Sequence, residues 1–344
     1  MRTVIVKTPL RLPLGGGGTD LPAYVKEHGG FIFGAAIDKY VYVTATHSPL
    51  HNGIFVSVPH EEQNEIKPYA DAVKNTLVRE ALRLTGWEKG LAISSASDIM
   101  YGTGLGSSGA FLVGLLHALY AMRGSATSKE FLAERASHIF INHLGSAEGK
   151  QDPYLASMGG FTCFELGRDN KVHFQPLAIA PETEKEFEAR SLYFYSGARR
   201  ESAVILKEHE RRARAGDESV LEYRHRVKEI GREVKAAFEQ GDMDRFGELL
   251  HEHWQAKKKS SSGMSVGIID GAYDDARASG MMGGKLMGAG GGGFFMAFVK
   301  DGCQDAVRGV FARVGADEVS FKISRGGSEI IFDSGDDSGN QNAA

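Results

Sequence analysis

The 344-residue chain is predicted to fold as two domains of mixed helices and strands with a cleft between them. Three observations lead there. At this length and with 42% apolar residues, the chain has material for two cores of ordinary domain size. Its 44 glycines gather into three runs, at 15–18, 102–109 and 283–293, and each run abuts a β-rich or strongly apolar segment. A flexible linker is also glycine-rich, but these neighbours fit tight loops inside folded domains better. Finally, the second run sits between a strand pattern and a helix pattern, the order of a strand, a glycine loop and a helix.

Taken from the start, Val4, Ile5 and Val6 form a short strand-like run. Residues 36–46, rich in Val, Tyr, Ile and Thr, read as a strand, as do 91–95. Phe111, Leu112, Leu115, Leu116 and Leu119 recur at helical spacing until Gly124 and Ser125 end the pattern. A second helix is expected from Lys129, with Ser128 as its N-cap and Phe131, Leu132, Ala136, Ile139 and Phe140 along it. Residues 192–195 form another strand. A long charged helix over 219–240 carries the apolar stripe Val220, Tyr223, Val227, Ile230, Val234 and Phe238, and Gly241 closes it. Residues 294–299 are a strand, Val307, Val310 and Phe311 mark a helix, and 321–324 and 330–332 supply the last β segments. The polar residues from Ser334 onward are expected to be disordered. The chain is expected to divide into a first domain at 1–180, a second at 181–333 and a tail at 334–344.

Composition excludes several function classes. With a net charge of −4 and a pI of about 6.3, the chain has no overall basic field to collect nucleic acid or anionic lipid. Its longest apolar stretches, 111–116 and 294–299, fall far short of the roughly 20 residues that span a bilayer. The N-terminal run lacks the apolar core and small-residue cleavage site of a secretory signal, so the chain is expected in the cytoplasm. Cys163 and Cys303 stand in unrelated contexts and fit neither a disulfide framework nor a zinc knuckle.

The chemistry is expected in the glycine runs. Backbone N–H groups at a helix start hold triphosphate oxygens without any basic side chain. Gly104-Leu105-Gly106-Ser107-Ser108 meets that need: glycines let the backbone approach, and two hydroxyls can donate to phosphate or ligate magnesium. A Walker loop is disfavoured because Gly106 stands where its Lys must be. A dinucleotide site is disfavoured because a second helix, not a strand ending in an acid, follows. The remaining alternative is a small-residue helix start packed tightly under a sheet. In the first run, Arg11 and Asp20 flank the glycine turn and could meet a phosphoryl group and sugar hydroxyls, although a surface turn with solvated charges has the same composition. The third run, up to Phe294, has much entropy to lose on ordering, so its backbone is expected to come close to something.

Together the three runs resemble the three motifs of the GHMP kinases, a superfamily that includes galactokinase, homoserine kinase and mevalonate kinase, in order and spacing over nearly the whole chain. Within it, the Gly-Gly-Gly-Gly-Thr-Asp start, Gly149-Lys150-Gln151-Asp152-Pro153-Tyr154, Tyr195-Ser196-Gly197, and His251-Glu252-His253-Trp254 with Lys257-Lys258 are similar to the D-glycero-D-manno-heptose 7-phosphate kinases. The resemblance implies a two-domain α+β fold, with an N-terminal domain like domain 2 of ribosomal protein S5 and a ferredoxin-like C-terminal domain, and ATP with Mg²⁺ as cofactors. It implies that Gly102 and Gly104 to Ser108 wrap the phosphates, with Leu105, Gly106 and Ser107 inside that turn. Ser108 becomes the magnesium ligand, and the stretch 288–292, with Gly290 and Gly291, closes the site. Arg11 matches the position that meets transition-state charge, while Gly17, Thr19 and Asp20 match the sugar-binding turn. Asp152 matches the galactokinase-type acid and is expected to be the base, since a carboxylate at hydrogen-bond distance can take the hydroxyl proton as the phosphoryl arrives. The blander role for Asp152 is a helix cap ahead of Pro153. Lys150 is expected to offset charge nearby, and Gly197 falls in a substrate-binding segment.

Two departures from the family pattern stand out. Phe140 occupies the place where many relatives have a glutamate magnesium ligand, so either Ser108, water and phosphates hold the metal, or Glu134 or Glu148 substitutes. Gly109 replaces a third serine. A substrate that already bears a phosphate needs a cationic pocket end, for which Arg200, Lys257 and Lys258 are the candidates. The expected reaction is ATP-dependent phosphorylation of the anomeric hydroxyl of a heptose 7-phosphate to the 1,7-bisphosphate, for nucleotide-activated heptose synthesis. The alternatives are a kinase of a free sugar such as L-fucose, and a non-catalytic sensor suggested by Phe140. The expected partner is a small-molecule phosphosugar, with no nucleic acid and no membrane; a homodimer stays open.

Overall fold

The computed structural model describes residues 1–47, 52–58, 64–146, 148–197, 211, 217–260, 267–288 and 291–335. Two sheets organise them. The larger contains β1 (Arg2–Gly15), β2 (Gly30–His47), β3 (Ile54–Ser57), β4 (Glu65–Lys67), β5 (Leu91–Ser97), β6 (Phe161–Leu166), β7 (Val172–Phe174) and, from the far end of the chain, β12 (Glu329–Asp333). Its strands run in the order β12-β1-β2-β5-β3-β4, with β6 also on β2 and β7 beyond β6. The smaller sheet contains β8 (Ser191–Tyr195), β9 (Met281–Leu286), β10 (Phe294–Val299) and β11 (Asp317–Glu318) in the antiparallel order β11-β8-β10-β9.

Strand β1 is much longer than its Val-Ile-Val start announces. Prolines remove ladder donors and normally demote a strand, but Pro9 and Pro13 sit at the two register shifts of the β1–β2 pairing, where a missing N–H is tolerated. The strand therefore carries Arg11 unbroken toward the first glycine turn.

Five helices belong with the larger sheet: α1 (Pro22–His28), α2 (Thr76–Thr85), α3 (Ser107–Met122), α4 (Lys129–His138) and α5 (Gln151–Met158). Helix α3 lies across β1 and β2 and is covered by α2, α4 and α5, which is why its sequence is apolar on every side. Ser128 caps α4 as its sequence predicts, with its Oγ accepting the Phe131 N–H at 3.1 Å. Helix α4 then runs into a wider turn at Ile139–His143 that packs Phe140 into the core.

The smaller sheet is joined by α6 (Pro181–Arg190), α7 (Glu218–Gln240), α8 (Met243–Ser260), α9 (Gly267–Ala278) and α10 (Gln304–Arg313). Alternate residues of β8 and β10 face opposite ways. Leu192, Phe194 and Phe295 pack with Trp254, Tyr273 and Phe311 in the outer core. Tyr193, Met296 and Phe298 instead join the main core, which runs on to the larger sheet through Phe187, Phe238 and Phe246. Helix α7 touches both β1 and β2 and pairs with α8, tying the halves together.

The structure corrects three sequence expectations. Residues 329–333, assigned to the second domain, form an edge strand of the first sheet by pairing with β1. Residues 321–324 form no strand beyond a single bridge from Ile37 to Ile323. Gly283 and Gly284 are strand residues of β9, not loop. Ser334, expected to be disordered, is held at the sheet: its N–H donates to Thr3 O at 2.9 Å and its hydroxyl accepts from Thr3 N at 2.8 Å; residues 336–344 lie outside the described residues. Among the described residues no helix is long and apolar enough to cross a membrane.

Candidate active site

The three glycine runs converge on one cleft. In the first, Thr19 fixes the turn: its hydroxyl donates to Phe31 O at 2.9 Å and accepts the Phe31 N–H at 3.0 Å. That hold presents Asp20, whose Oδ2 accepts the Gln151 N–H at 2.8 Å and so joins the turn to the start of α5.

The second run ends as the N-cap of α3. Ala110 N donates to Gly106 O at 3.0 Å as the first helical bond, and no side chain caps the end, so the amides just before Ala110 have no acceptor within the helix. Ser107 Oγ lies beside them, buried and without a hydrogen-bond partner. Gly104 has φ +84°, and a Cβ there would lie 2.5 Å from Met287 O in the third run, so only glycine lets the two loops meet. The Phe294 N–H, donating to Thr103 O at 3.1 Å, ties β10 to the same loop.

Beyond the cap, α3 meets the first turn of α5. A Cβ on Gly109 would come within 2.7 Å of Asp152 Cβ. The departure from a third serine thus has a steric reason in this chain. Asp152 does not cap α5; it lies in its first turn, which tolerates Pro153, and faces Arg11. The Arg11 Nε and Nη2 each donate to a carboxylate oxygen of Asp152 at 2.8 Å, and Nη1 donates to Gly104 O at 2.5 Å. Arg11 is 4% exposed and Asp152 27% exposed, so the carboxylate is the member of the pair open to the cleft.

Charge in this cleft is dense and buried. Burial raises the Asp20 carboxyl above its ordinary value, against the Gln151 N–H and assisted by the nearby Asp152. Burial, then the charge of Asp152, pushes Glu148 up to about 7. On the cationic side, burial and then Arg11 bring Lys257 down to about 7. Lys285 is lowered well below the ordinary lysine value by burial, then by Lys257 and Arg11. The Lys257 ammonium donates to the carbonyls of Leu286 at 3.1 Å and Gly288 at 2.9 Å. That of Lys285 reaches Leu14 O and His253 Nδ1, both at 3.2 Å. Burial keeps His253 neutral, with the two lysines adding to the effect. An anion entering here would restore the charge that burial disfavours.

Of the residues singled out from sequence, Arg11, Gly17, Asp20, Gly102, Gly104, Gly106, Ser107, Ser108 and Asp152 line the cleft. Leu105 turns its side chain into the core and contributes a carbonyl that accepts the Arg11 N–H at 3.0 Å. Thr19 is spent on its bonds to Phe31, while Gly197 and Gly291 are not in the lining. Two expectations need correction. Lys150 points away into a separate depression, where its ammonium bonds Glu134 at 2.6 Å and Asn170 O at 2.9 Å, because the chain turns at the N-terminus of α5. Lys258 stands over the rings of Trp254 and Tyr273, one residue out of phase with Lys257, so Lys257 takes the cleft position. Arg200 and Gly290 lie outside the described residues.

The sequence reading overlooked Tyr223 as a site residue, together with Arg224, which is 2% exposed and enters the cleft from α7. A signal existed for Arg224: it stands four residues after Val220, on the buried face of an otherwise apolar stripe.

This geometry is matched by whole-chain likeness. The model of the GHMP kinase N-terminal domain matches residues 69–160, and that of the GHMP kinase C-terminal domain matches 234–316. A D-glycero-alpha-D-manno-heptose 7-phosphate kinase of Campylobacter jejuni is 31% identical over 307 residues, covering 87% of this chain and 90% of that protein. The chain belongs to the GHMP kinases. Two solved structures share the fold of this GHMP kinase. One is a D-glycero-D-manno-heptose 1-phosphate kinase of Bacteroides thetaiotaomicron, with TM-score 0.78, 24% identity, and 95% and 98% of the two chains covered. The other is a Lactococcus lactis galactokinase complexed with galactose, with TM-score 0.73, 17% identity, and 95% of each chain covered.

As a GHMP kinase it is a phosphotransferase that uses ATP with Mg²⁺. The residues present fit that pair. A polyphosphate needs uncommitted amides and hydroxyls at a helix start, and α3 offers both beside buried ammonium groups. Magnesium needs oxygen ligands, and the side-chain oxygens of Ser107, Ser108 and Glu148 lie in the same wall.

Proposed function

We propose that this GHMP-type sugar kinase phosphorylates the anomeric hydroxyl of a D-glycero-D-manno-heptose 7-phosphate, giving the 1,7-bisphosphate as a step in nucleotide-activated heptose synthesis. The observation that carries the reading is the Arg11–Asp152 pair, set between the turn at the start of α3 and the glycine turn that presents Asp20. The likeness to the Campylobacter jejuni heptose 7-phosphate kinase supports the choice of sugar.

ATP with Mg²⁺, when bound, supplies the transferable γ-phosphoryl group. The amides at the start of α3 and the hydroxyls of Ser107 and Ser108 hold polyphosphate oxygens, and Gly288 closes on Gly104 from the other side. Asp20, fixed by the Gln151 N–H, accepts hydrogen bonds from sugar hydroxyls. Asp152 accepts the proton of the attacking hydroxyl. Arg11 holds that carboxylate in place through two bonds and brings positive charge to where the phosphoryl crosses.

Two anions must share the cleft when a phosphosugar and ATP are both bound. Arg11 and Lys257 stand beside the carbonyls of Gly104 and Gly288, at the nucleotide loops. Lys285 bonds Leu14 O, and Arg224 lies 5.9 Å from the Tyr24 ring, beside the 14–24 segment that presents Asp20. These two meet the sugar's own phosphate. Measuring ADP release with heptose 7-phosphate, free heptose, L-fucose, galactose and mevalonate tests the reading. Turnover with heptose 7-phosphate far above the rest is expected, and turnover of fucose, galactose or mevalonate without it would sink the proposal.

A further inference from the structure

Asp20, Glu148 and Asp152 are the carboxylates in the lining of the cleft. Two already have partners: Asp152 is gripped by Arg11, and Asp20 by the Gln151 N–H. Glu148 is different. No hydrogen bond or ion pair among the described residues holds its carboxylate, and the charges acting on it are Asp152, Arg11 and Asp20. A half-buried carboxylate that feels the charges of two others, without a partner of its own among the described residues, is unfavourable until a cation arrives.

Other oxygens wait in the same wall. Ser107 Oγ and Gln151 Oε1 are buried, line the cleft and have no hydrogen-bond partner. Magnesium in phosphoryl-transfer sites takes one or two carboxylates, with phosphate and water oxygens completing its shell. The other candidate places are closed. Phe140 is packed into the core at 3% exposure, and Glu134 bonds Lys150 and Tyr154 at the separate depression.

We propose that Glu148 is the carboxylate ligand of the Mg²⁺ that accompanies ATP, in the same wall as the Ser107 and Ser108 hydroxyls at the start of α3. The inference rests on the cleft being the nucleotide site. It makes the metal position of this chain a relocated one, served by the loop that enters α5 in place of the segment that carries Phe140.

The test is divalent-metal binding to the full chain, with Mn²⁺ standing in for Mg²⁺ and its free paramagnetic resonance signal as the readout, with and without saturating non-hydrolysable ATP analogue. Glu148→Gln is expected to weaken Mn²⁺ binding in the ternary complex by about tenfold or more. Binding of the analogue without metal should not weaken, and Glu134→Gln should match the wild type in both. Unchanged Mn²⁺ affinity in Glu148→Gln overturns the assignment, as does an equal loss of analogue binding without metal. If that variant does not fold, Glu148→Ala is judged by the same outcomes. Should the wild type bind the analogue no better with Mn²⁺ than without, the nucleotide reading falls and the assignment with it; metal synergy kept in Glu148→Gln removes the assignment alone.

Discussion

Arg11 and Asp152 meet edge to edge, with two parallel bonds of 2.8 Å, while the third arm of the guanidinium holds the carbonyl of Gly104. One side chain thereby ties β1, the turn before α3 and the first turn of α5 into a single unit. Asp152→Asn keeps the shape and removes the base. Its kcat is expected to fall by about 10²- to 10⁴-fold with ATP affinity retained. Steady-state kinetics beside analogue binding check this, and an asparagine variant with wild-type kcat removes Asp152 from the chemistry.

Arg11→Lys tests the fork itself. A lysine keeps the charge but cannot hold both carboxylate oxygens and Gly104 O from one plane. A lower kcat with a folded protein is expected, and full activity would mean that charge alone suffices.

Gly109 bears on the same carboxylate from the opposite side. Serine there places Cβ 2.7 Å from Asp152 Cβ, so α3 or α5 must shift. A displacement of about 1 Å can lower a rate by about 10²-fold. Gly109→Ser is therefore expected to lose kcat while its melting temperature falls only modestly. Wild-type kinetics would show that the helices have room.

Burial lowers Lys257 to about 7, below an unfolded lysine near 10.4. Between these values the unfolded chain binds more protons, so the stability of the ligand-free protein rises with pH from about 7 to about 10. An entering polyphosphate favours the charged ammonium and draws in a proton. Calorimetry of analogue binding at pH 8, in two buffers of different ionisation enthalpy, should show proton uptake that Lys257→Met reduces. Equal uptake in both proteins would contradict the assignment.

Arg224 is expected to separate phosphosugars from free sugars. Losing a charge-assisted hydrogen bond costs about 1.5–3 kcal/mol, so Arg224→Gln should raise KM for heptose 7-phosphate about tenfold or more. KM for ATP should change little. An equal rise for both substrates would make Arg224 a structural residue.

Much of this site was legible because its loops advertise themselves. Glycine runs beside apolar strands placed the turn before α3, and Arg11 and Asp20 stood out by flanking the first run, whereas Asp152 lies beside none of the runs and came from the resemblance to the GHMP kinases. Strand β1 was read too short because Pro9 and Pro13 look like breakers until the partner strand supplies the register shifts that excuse them. Lys150 and Lys258 illustrate a different limit. Which of two adjacent side chains enters a cleft depends on the phase of a helix or turn against its packing partners, and Lys257 and Lys258 differ by about 100° around α8. Arg224 escaped notice because a buried arginine on an apolar helix face has no local signature apart from its phase.

The most direct measurement is phosphorus NMR of the product formed from heptose 7-phosphate and ATP. A second phosphomonoester coupled to the anomeric proton, with the 7-phosphate retained and the new signal lost in Asp152→Asn, is the predicted result. A phosphate on another carbon, or an anomeric phosphate that forms at the wild-type rate without the Asp152 carboxylate, would contradict the account.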